Sequence, residues 1–257
     1  PEERGDAVAI SVIVACYNQD LAESFSRQTL AIVRERGVSL NPARQAVNDW
    51  LTAAGGGLRA IGVGGGVTGF GTSCLLIDDP VKSYEEAHSR AYQARVWNWW
   101  QNDLTTRLEP HPRDKRPASV ILTMTRWSDN DLAGRILNSE GGGKWEVLRI
   151  PALAETQEER DSYNASIGRE PGEPDPLRRE PGEAMNPERY DAADLAEKRT
   201  EQGLTGFMAL YQQRPTAPQG DMFRREWFEI IDAAAFDALA TGTPGRRAVR
   251  YWDKAGT

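Results

Sequence analysis

Cys74-Leu75-Leu76-Ile77-Asp78-Asp79-Pro80 is an apolar run that stops on two adjacent carboxylates and a proline. Such a run reads as a strand buried on both faces, one that delivers acid groups to the carboxyl edge of a parallel sheet, where open α/β sheets hold their ligands. Two acids in that place suit the holding of Mg²⁺ and the aiming of a water at a nucleoside triphosphate, so Asp78 and Asp79 read as a Walker-B pair. A second apolar run, 118–124, leads into Thr123-Met124-Thr125-Arg126-Trp127. It ends in hydroxyls and a guanidinium, groups suited to sensing a γ-phosphate from the next position along the same edge. Plainer readings stand beside these. Asp-Pro after a strand is also a helix N-cap with proline in the first turn, and Arg126 has Asp129 and Asp131 as ion-pair partners within reach.

Working outward, residues 7–15 form a β-branched apolar run of the kind buried on both faces. Asn18 or Asp20 can cap the helix that follows, in which Leu21, Phe25, Thr29 and Ile32 recur at helical spacing before Gly37 stops it. Further strands are expected at 73–77, 118–124 and 145–150, separated by helical stretches, which makes a mainly parallel α/β sheet the economical architecture. Residues 84–108 read as one long helix. Trp97 and Trp100 lie at i, i+3 on its apolar stripe, which leaves Trp99 as the indole free to be exposed. The glycine-rich stretch 55–69 reads as a hairpin or loop leading to the Walker-B strand. It carries no lysine, and G-x-x-x-x-G-K-[ST] occurs nowhere in the chain. Beyond Glu155 the texture turns acidic and rich in Pro and Gly, as in a long irregular surface connection that is partly mobile. A helical pair is expected at 187–199 and 204–213, and residues 247–253 read as a strand with Asp253 at its tip.

At 257 residues and 39% hydrophobic content, with 8 Trp, the chain can bury a sizeable core. Its net charge of -7 is uneven: 14 acidic against 7 basic residues fall between positions 154 and 201, and the remainder is neutral. A neutral remainder still allows local basic patches, such as 113–116, 224–225 and 246–250, to meet phosphates, although each reads first as a solvated loop. The 2 cysteines, Cys16 and Cys74, sit in or beside apolar strands and read as small buried hydrophobes, which fits a reducing compartment. His88 and His111 have no neighbour at metal-ligand spacing and read as a helix-surface and a loop residue. No apolar run approaches the roughly 20 residues that span a bilayer. The chain opens on Pro1 and stops soon after a fresh strand has begun, so it is expected to be an internal piece of a longer protein.

Five segments in order, GVGGGVTGFGTSCLLIDDPVKS (62–83), TMTRWSDNDLAGRIL (123–137), IPALAE (150–155), LYQQRPTAPQGDMF (210–223) and YWDKAGT (251–257), closely resemble the large terminase subunit of tailed bacteriophages. That resemblance implies a P-loop NTPase core of the RecA-like kind over 1–150, incomplete because its phosphate loop is missing. A lid or linker subdomain would cover 151–220, and the start of a ribonuclease H-like nuclease 221–257. It further implies Asp78 as the carboxylate positioning Mg²⁺ and Asp79 at the place of the water-orienting acid, where many relatives carry Glu. Thr123, Thr125 and Arg126 match the coupling motif beside the ATP, and Asp253 matches the first metal-binding acid of a Mg²⁺- or Mn²⁺-dependent nuclease. Arg59 and Arg126 are candidates for the transition-state arginine, and Thr68 stands where some relatives carry Arg. The implied partners are double-stranded DNA, the portal protein, the small terminase subunit and further copies in a ring on the procapsid, in the host cytoplasm. The alternatives are a helicase-like P-loop translocase, disfavoured because no second motor domain follows, and a non-catalytic scaffold of terminase descent.

Overall fold

A computed structural model describes residues 9–215, which fall within one compact unit. Asp253, the expected strand at 247–253 and the expected nuclease segment lie outside the described residues. The elements are β1 (Ser11–Cys16), α1 (Gln19–Glu35), β2 (Leu40–Ala46), β3 (Asp49–Thr52), β4 (Gly57–Gly62), β5 (Cys74–Asp78), α2 (Tyr84–His88), α3 (Arg90–Asn98), β6 (Ser119–Thr123), α4 (Leu132–Leu137), α5 (Gln157–Ser166) and α6 (Ala192–Leu210). They build a mixed α/β fold around a six-stranded, mostly parallel sheet in the order β2-β3-β4-β1-β5-β6. Strands β4, β1, β5 and β6 run parallel, and the β2–β3 hairpin is added antiparallel to β4.

Three of the strands were hidden by composition. The 55–69 stretch is not simply a loop: Leu58, Ala60 and Ile61 inside it are buried, and β4 is a central strand. Its flanking glycines answer close approaches. A Cβ on Gly62 would lie 2.6 Å from the Gln19 amide nitrogen at the start of α1, and one on Gly57 would collide with the Trp50 carbonyl of β3. Hairpin β2–β3 is anchored by Trp50, whose Nε1 donates to Ser26 Oγ of α1 at 2.9 Å, and by Asp49, which accepts from Arg44 and Arg59.

Each face of the sheet carries its own core. Ile13, Ala15, Leu75 and Ile77 pack under α3, the segment after it and α4. Val14, Cys16, Leu58 and Ala60 pack under α1 and Trp50. On the α1 face burial falls away along one row, from Ala60 and Val14 through half-buried Leu76 to Ile121, which is 53% exposed on the outer strand β6. Among the described residues β6 pairs only with β5.

The helix expected at 84–108 is broken. Ser89 is extended and caps α3 by accepting from Tyr92 N, as Ser83 caps α2, so two short serine-capped helices replace one long one. From Trp99 to Leu104 the ladder widens to a π-helix. That added residue rotates the faces, which overturns the expectation for Trp99, the most buried at 2% exposed; Trp100 is buried as expected, and Trp97 packs half-buried against the same core. The strand expected at 145–150 is absent, and the segment runs irregularly with Leu148 exposed. Cys74 is half-buried rather than buried. His111 is buried, with Nδ1 3.2 Å from Asp114 Oδ1 in a geometry that makes no hydrogen bond.

Residues 149–214 hold a third cluster, of Ala184, Leu195 and Phe207. Helix α5 begins at the capping box Thr156–Glu159. The expected helical pair is α6, interrupted at Gly203, where φ is 71°. The irregular 169–186 stretch is pinned by the Asp175–Arg179 ion pair at 2.9 Å, both side chains at least 95% buried. No helix among the described residues is long and apolar enough to cross a membrane.

Candidate functional site

The register places Cys16 of β1, Asp78 of β5 and Thr123 of β6 side by side at the carboxyl ends of three parallel strands. Burial first, and then the neighbouring Asp79 charge, push the Asp78 carboxyl above its ordinary range. The Cys16 thiol is pushed up to about 12 by burial and by the same two acids, so it stays a neutral thiol. Among the described residues neither Asp78 nor Asp79 has a cationic side chain at ion-pair distance.

Asp79 leaves the strand with a positive φ of 41°, a left-handed conformation that Asp tolerates better than most residues. In that pose it knots three strand ends together. Its N–H donates to the Thr123 carbonyl at 2.9 Å, its carbonyl accepts from Tyr17 N at 3.1 Å, and its Oδ1 accepts from Thr125 N at 2.7 Å. One carboxylate oxygen is therefore occupied and the other is free to take a water. The next residue, Pro80, accepts at its carbonyl from the Tyr92 phenol at 3.1 Å, which ties α3 to the turn.

The hydroxyls of Thr123 and Thr125 have no protein partner among the described residues; Thr123 is the register neighbour of Asp78, and Thr125 gives its N–H to Asp79. Arg126 is turned the other way: its Nε donates to Asp131 at 2.8 Å, and both side chains are largely buried. Arg59 is engaged with Asp49 at 2.8 Å and lies 4.9 Å from the Phe70 ring centroid. Thr68 is exposed in the loop after β4. So the structure brings together Asp78, Asp79, Thr123 and Thr125, and engages Arg59 and Arg126 elsewhere. Two groups at this edge were not singled out from sequence: Tyr17 and Lys82, whose Nζ lies 5.9 Å from the Tyr17 ring centroid. Lys82 was findable, three residues after Asp79 and just beyond the proline.

No group of three or more His, Cys, Asp or Glu side chains converges to hold a metal among the described residues. Mg²⁺ does not require one. It is commonly held by one or two carboxylates with water and substrate phosphates completing the octahedron, and an uncompensated pair of acids suits that donor set.

The IPALAE and LYQQRP segments bind each other. Gln212 receives from Leu153 N and donates to Leu153 O, at 2.9 and 3.0 Å, and Ala152 N donates to the Tyr211 carbonyl at 2.8 Å. Arg149 pairs with Glu155, donates to the Gln212 carbonyl and lies 4.1 Å above the Tyr163 ring, and Arg214 reaches Glu155 at 3.5 Å.

No protein family model and no curated protein matches the chain. Among solved structures, the large terminase of bacteriophage HK97 is similar at 14% identity and a TM-score of 0.43, over 80% of this chain and 40% of that one. This chain thus spans well under half the length of that protein, and a likeness so slight bears on neither its activity nor its partners.

Proposed function

We propose that this chain is the incomplete sheet core, with an attached lid, of an ATP-hydrolysing DNA-packaging motor of the large-terminase kind, which moves double-stranded viral DNA into a procapsid and cuts it. The observation that carries the reading is the Asp78–Asp79 pair at the carboxyl edge, without a cationic partner among the described residues and knotted to the end of β6 through Thr125 N. The succession of five terminase-like segments supports it. Bound Mg²⁺ would offset the charge of the β- and γ-phosphates. Asp78 would hold that ion, in part through water. Asp79 would orient the attacking water with its free oxygen while the other stays on Thr125, and the Thr123 and Thr125 hydroxyls would face the phosphate end. The phosphate loop would be supplied by another part of the protein. Asp253 would serve a separate two-metal nuclease site, and the partners would be portal protein, small terminase subunit and sister copies in a ring.

The test is ATP turnover by the full-length protein. Asp79→Asn is expected to lose nearly all DNA-stimulated hydrolysis while nucleotide binding persists, because water orientation is removed and the phosphate cradle is not. Asp78→Asn is expected to weaken Mg²⁺-dependent binding as well. Wild-type turnover in Asp79→Asn would overturn the assignment.

A further inference from the structure

Arg126 is where residue type and geometry part. Its place after β6 suits a phosphate, yet its guanidinium points into the protein. Nε donates to both oxygens of Asp131, at 3.1 and 2.8 Å, with 12% of the Arg126 side chain and 2% of that of Asp131 exposed. Asp131 is itself fully engaged, because it caps α4 by accepting from Gly134 N at 2.9 Å and also accepts from Trp127 N at 3.3 Å. Glycine at 134 makes the room: a Cβ there would lie 3.3 Å from Arg126 Nη2 and would collide with the Asp129 carbonyl. The Tyr163 phenol of α5 lies near the guanidinium, without a hydrogen bond between them. The Tyr163 ring in turn lies under Arg149, which is paired with Glu155. One residue before Arg126, Thr125 N–H holds Asp79.

We infer that Arg126 is a positioning residue, which ties the Asp79 edge to α4, and not a group that touches the ligand of that edge. A guanidinium that left Asp131 for a phosphate would strand a buried, uncompensated carboxylate, which costs more than a single ligand contact ordinarily returns. Arg126 thereby serves the edge from behind. It fixes where Thr125 N–H, and hence Asp79, is held, and it passes any shift of that edge to α4. On the nucleotide reading proposed above, this makes Arg126 matter to the rate of hydrolysis and not to the affinity for ATP.

Three measurements test the tie. In thermal unfolding of the chain, Arg126→Ala and Asp131→Ala are each expected to lower Tm by about 10 °C, and the double variant by little more than either alone. Additive losses would overturn the pair as a unit. Amide hydrogen exchange at Thr125 is expected to quicken about tenfold in Arg126→Ala and also in Asp131→Asn, which keeps the side chain's shape and loses its charge. Unchanged protection in both would overturn the tie to the edge, and neither readout depends on turnover. In the full-length protein, Arg126→Ala is expected to lower kcat about tenfold or more with KM for ATP within twofold of wild type, and Arg126→Lys to recover part of that loss. A tenfold rise in KM for Arg126→Ala, with wild-type KM in Asp131→Ala, would make Arg126 a ligand contact and sink the inference. A wild-type protein without turnover would refute the nucleotide reading alone, leaving unfolding and exchange to decide the tie.

Discussion

The carboxyl edge of the sheet and the 149–214 lobe bury acids in opposite ways. In the lobe each buried carboxylate meets arginine: Glu155 has Arg149 and Arg214, and Asp175 has Arg179 at 2.9 Å. Burial alone would push the Asp175 carboxyl up, but hydrogen bonds from Arg179 and the Leu177 amide, with the Arg179 charge, together outweigh it and hold the group below its ordinary range. At the edge Asp78 and Asp79 stand together with no arginine partner among the described residues, and burial with the Asp79 charge holds Asp78 above its ordinary range. The lobe uses its acids to fix irregular chain in place. The edge leaves its charge uncompensated, which is the condition for taking up an external cation.

Breaking the lobe should cost most. Arg149→Ala leaves Glu155 buried with only the longer Arg214 contact, and a loss of about 3–5 kcal/mol of unfolding free energy is expected in denaturant titration. A loss below about 1 kcal/mol would mean that Arg214 takes over and that the two regions differ less than their geometry suggests.

The Asp79 knot comes next. Asp79→Ala removes the acceptor for Thr125 N and is expected to destabilise by about 1–2 kcal/mol, whereas Asp79→Asn keeps an acceptor oxygen and should unfold near wild type. Equal destabilisation in the two variants would show that charge, and not the hydrogen bond, holds the edge.

The pH dependence of stability sharpens the comparison, because the two signs are opposite. A carboxyl with a depressed pKa, as at Asp175, contributes stability that is present above the ordinary carboxylate range and is lost as pH falls through the depressed value. A carboxyl with a raised pKa, as at Asp78, carries no penalty in acid and destabilises as pH rises through the raised value. Asp175→Asn should therefore flatten the acid limb of the stability curve. Asp78→Asn should gain a little stability at neutral pH and none in acid, and it should abolish any rise in Tm that Mg²⁺ gives the wild-type chain. Parallel curves for wild type and Asp78→Asn would remove the case for an uncompensated charge at the edge.

The smallest effect belongs to a pair in neither region. Arg27 and Glu23 lie 3.7 Å apart on the exposed side of α1, and Arg27→Ala should change stability by less than about 0.5 kcal/mol. A larger change would mean that surface pairs weigh more in this protein than its buried ones imply.

The edge was legible in the sequence because its strands are apolar runs that end in the polar residues of the candidate site. β1, β5 and β6, with Asp78, Asp79, Thr123 and Thr125, lie where the apolar pattern places them. Strands β2, β3 and β4 were not legible. β2 contains Pro42 and polar residues at an outer position, and β4 is four residues between glycines required by neighbouring backbone. Helix α5 was missed although Thr156 and Glu159 stand at capping-box spacing, because the acidic texture around them reads as loop. Residues 145–150 misled in the other direction: their apolar pattern suits a strand, but no neighbouring strand receives them. The roles proposed for Asp79 and Arg126 rest on a positive φ and on contacts with Thr125 and Asp131, of which only the Asp131 pairing has a signal in local spacing.

The falling burial across the α1 face has a consequence for how this polypeptide behaves in a tube. β6 reads Ser-Val-Ile-Leu-Thr, with no charge, proline or bulge inside it, and it offers a bare rim of amides and carbonyls next to the outward-facing Ile121. Where no other segment covers it, and none does among the described residues, such a rim templates strand addition by any extended chain nearby. Concentrated stocks should accordingly thicken into sheet-extended oligomers rather than remain monodisperse, and a single lysine at position 121 is the gentlest gatekeeper, because that side chain already faces water.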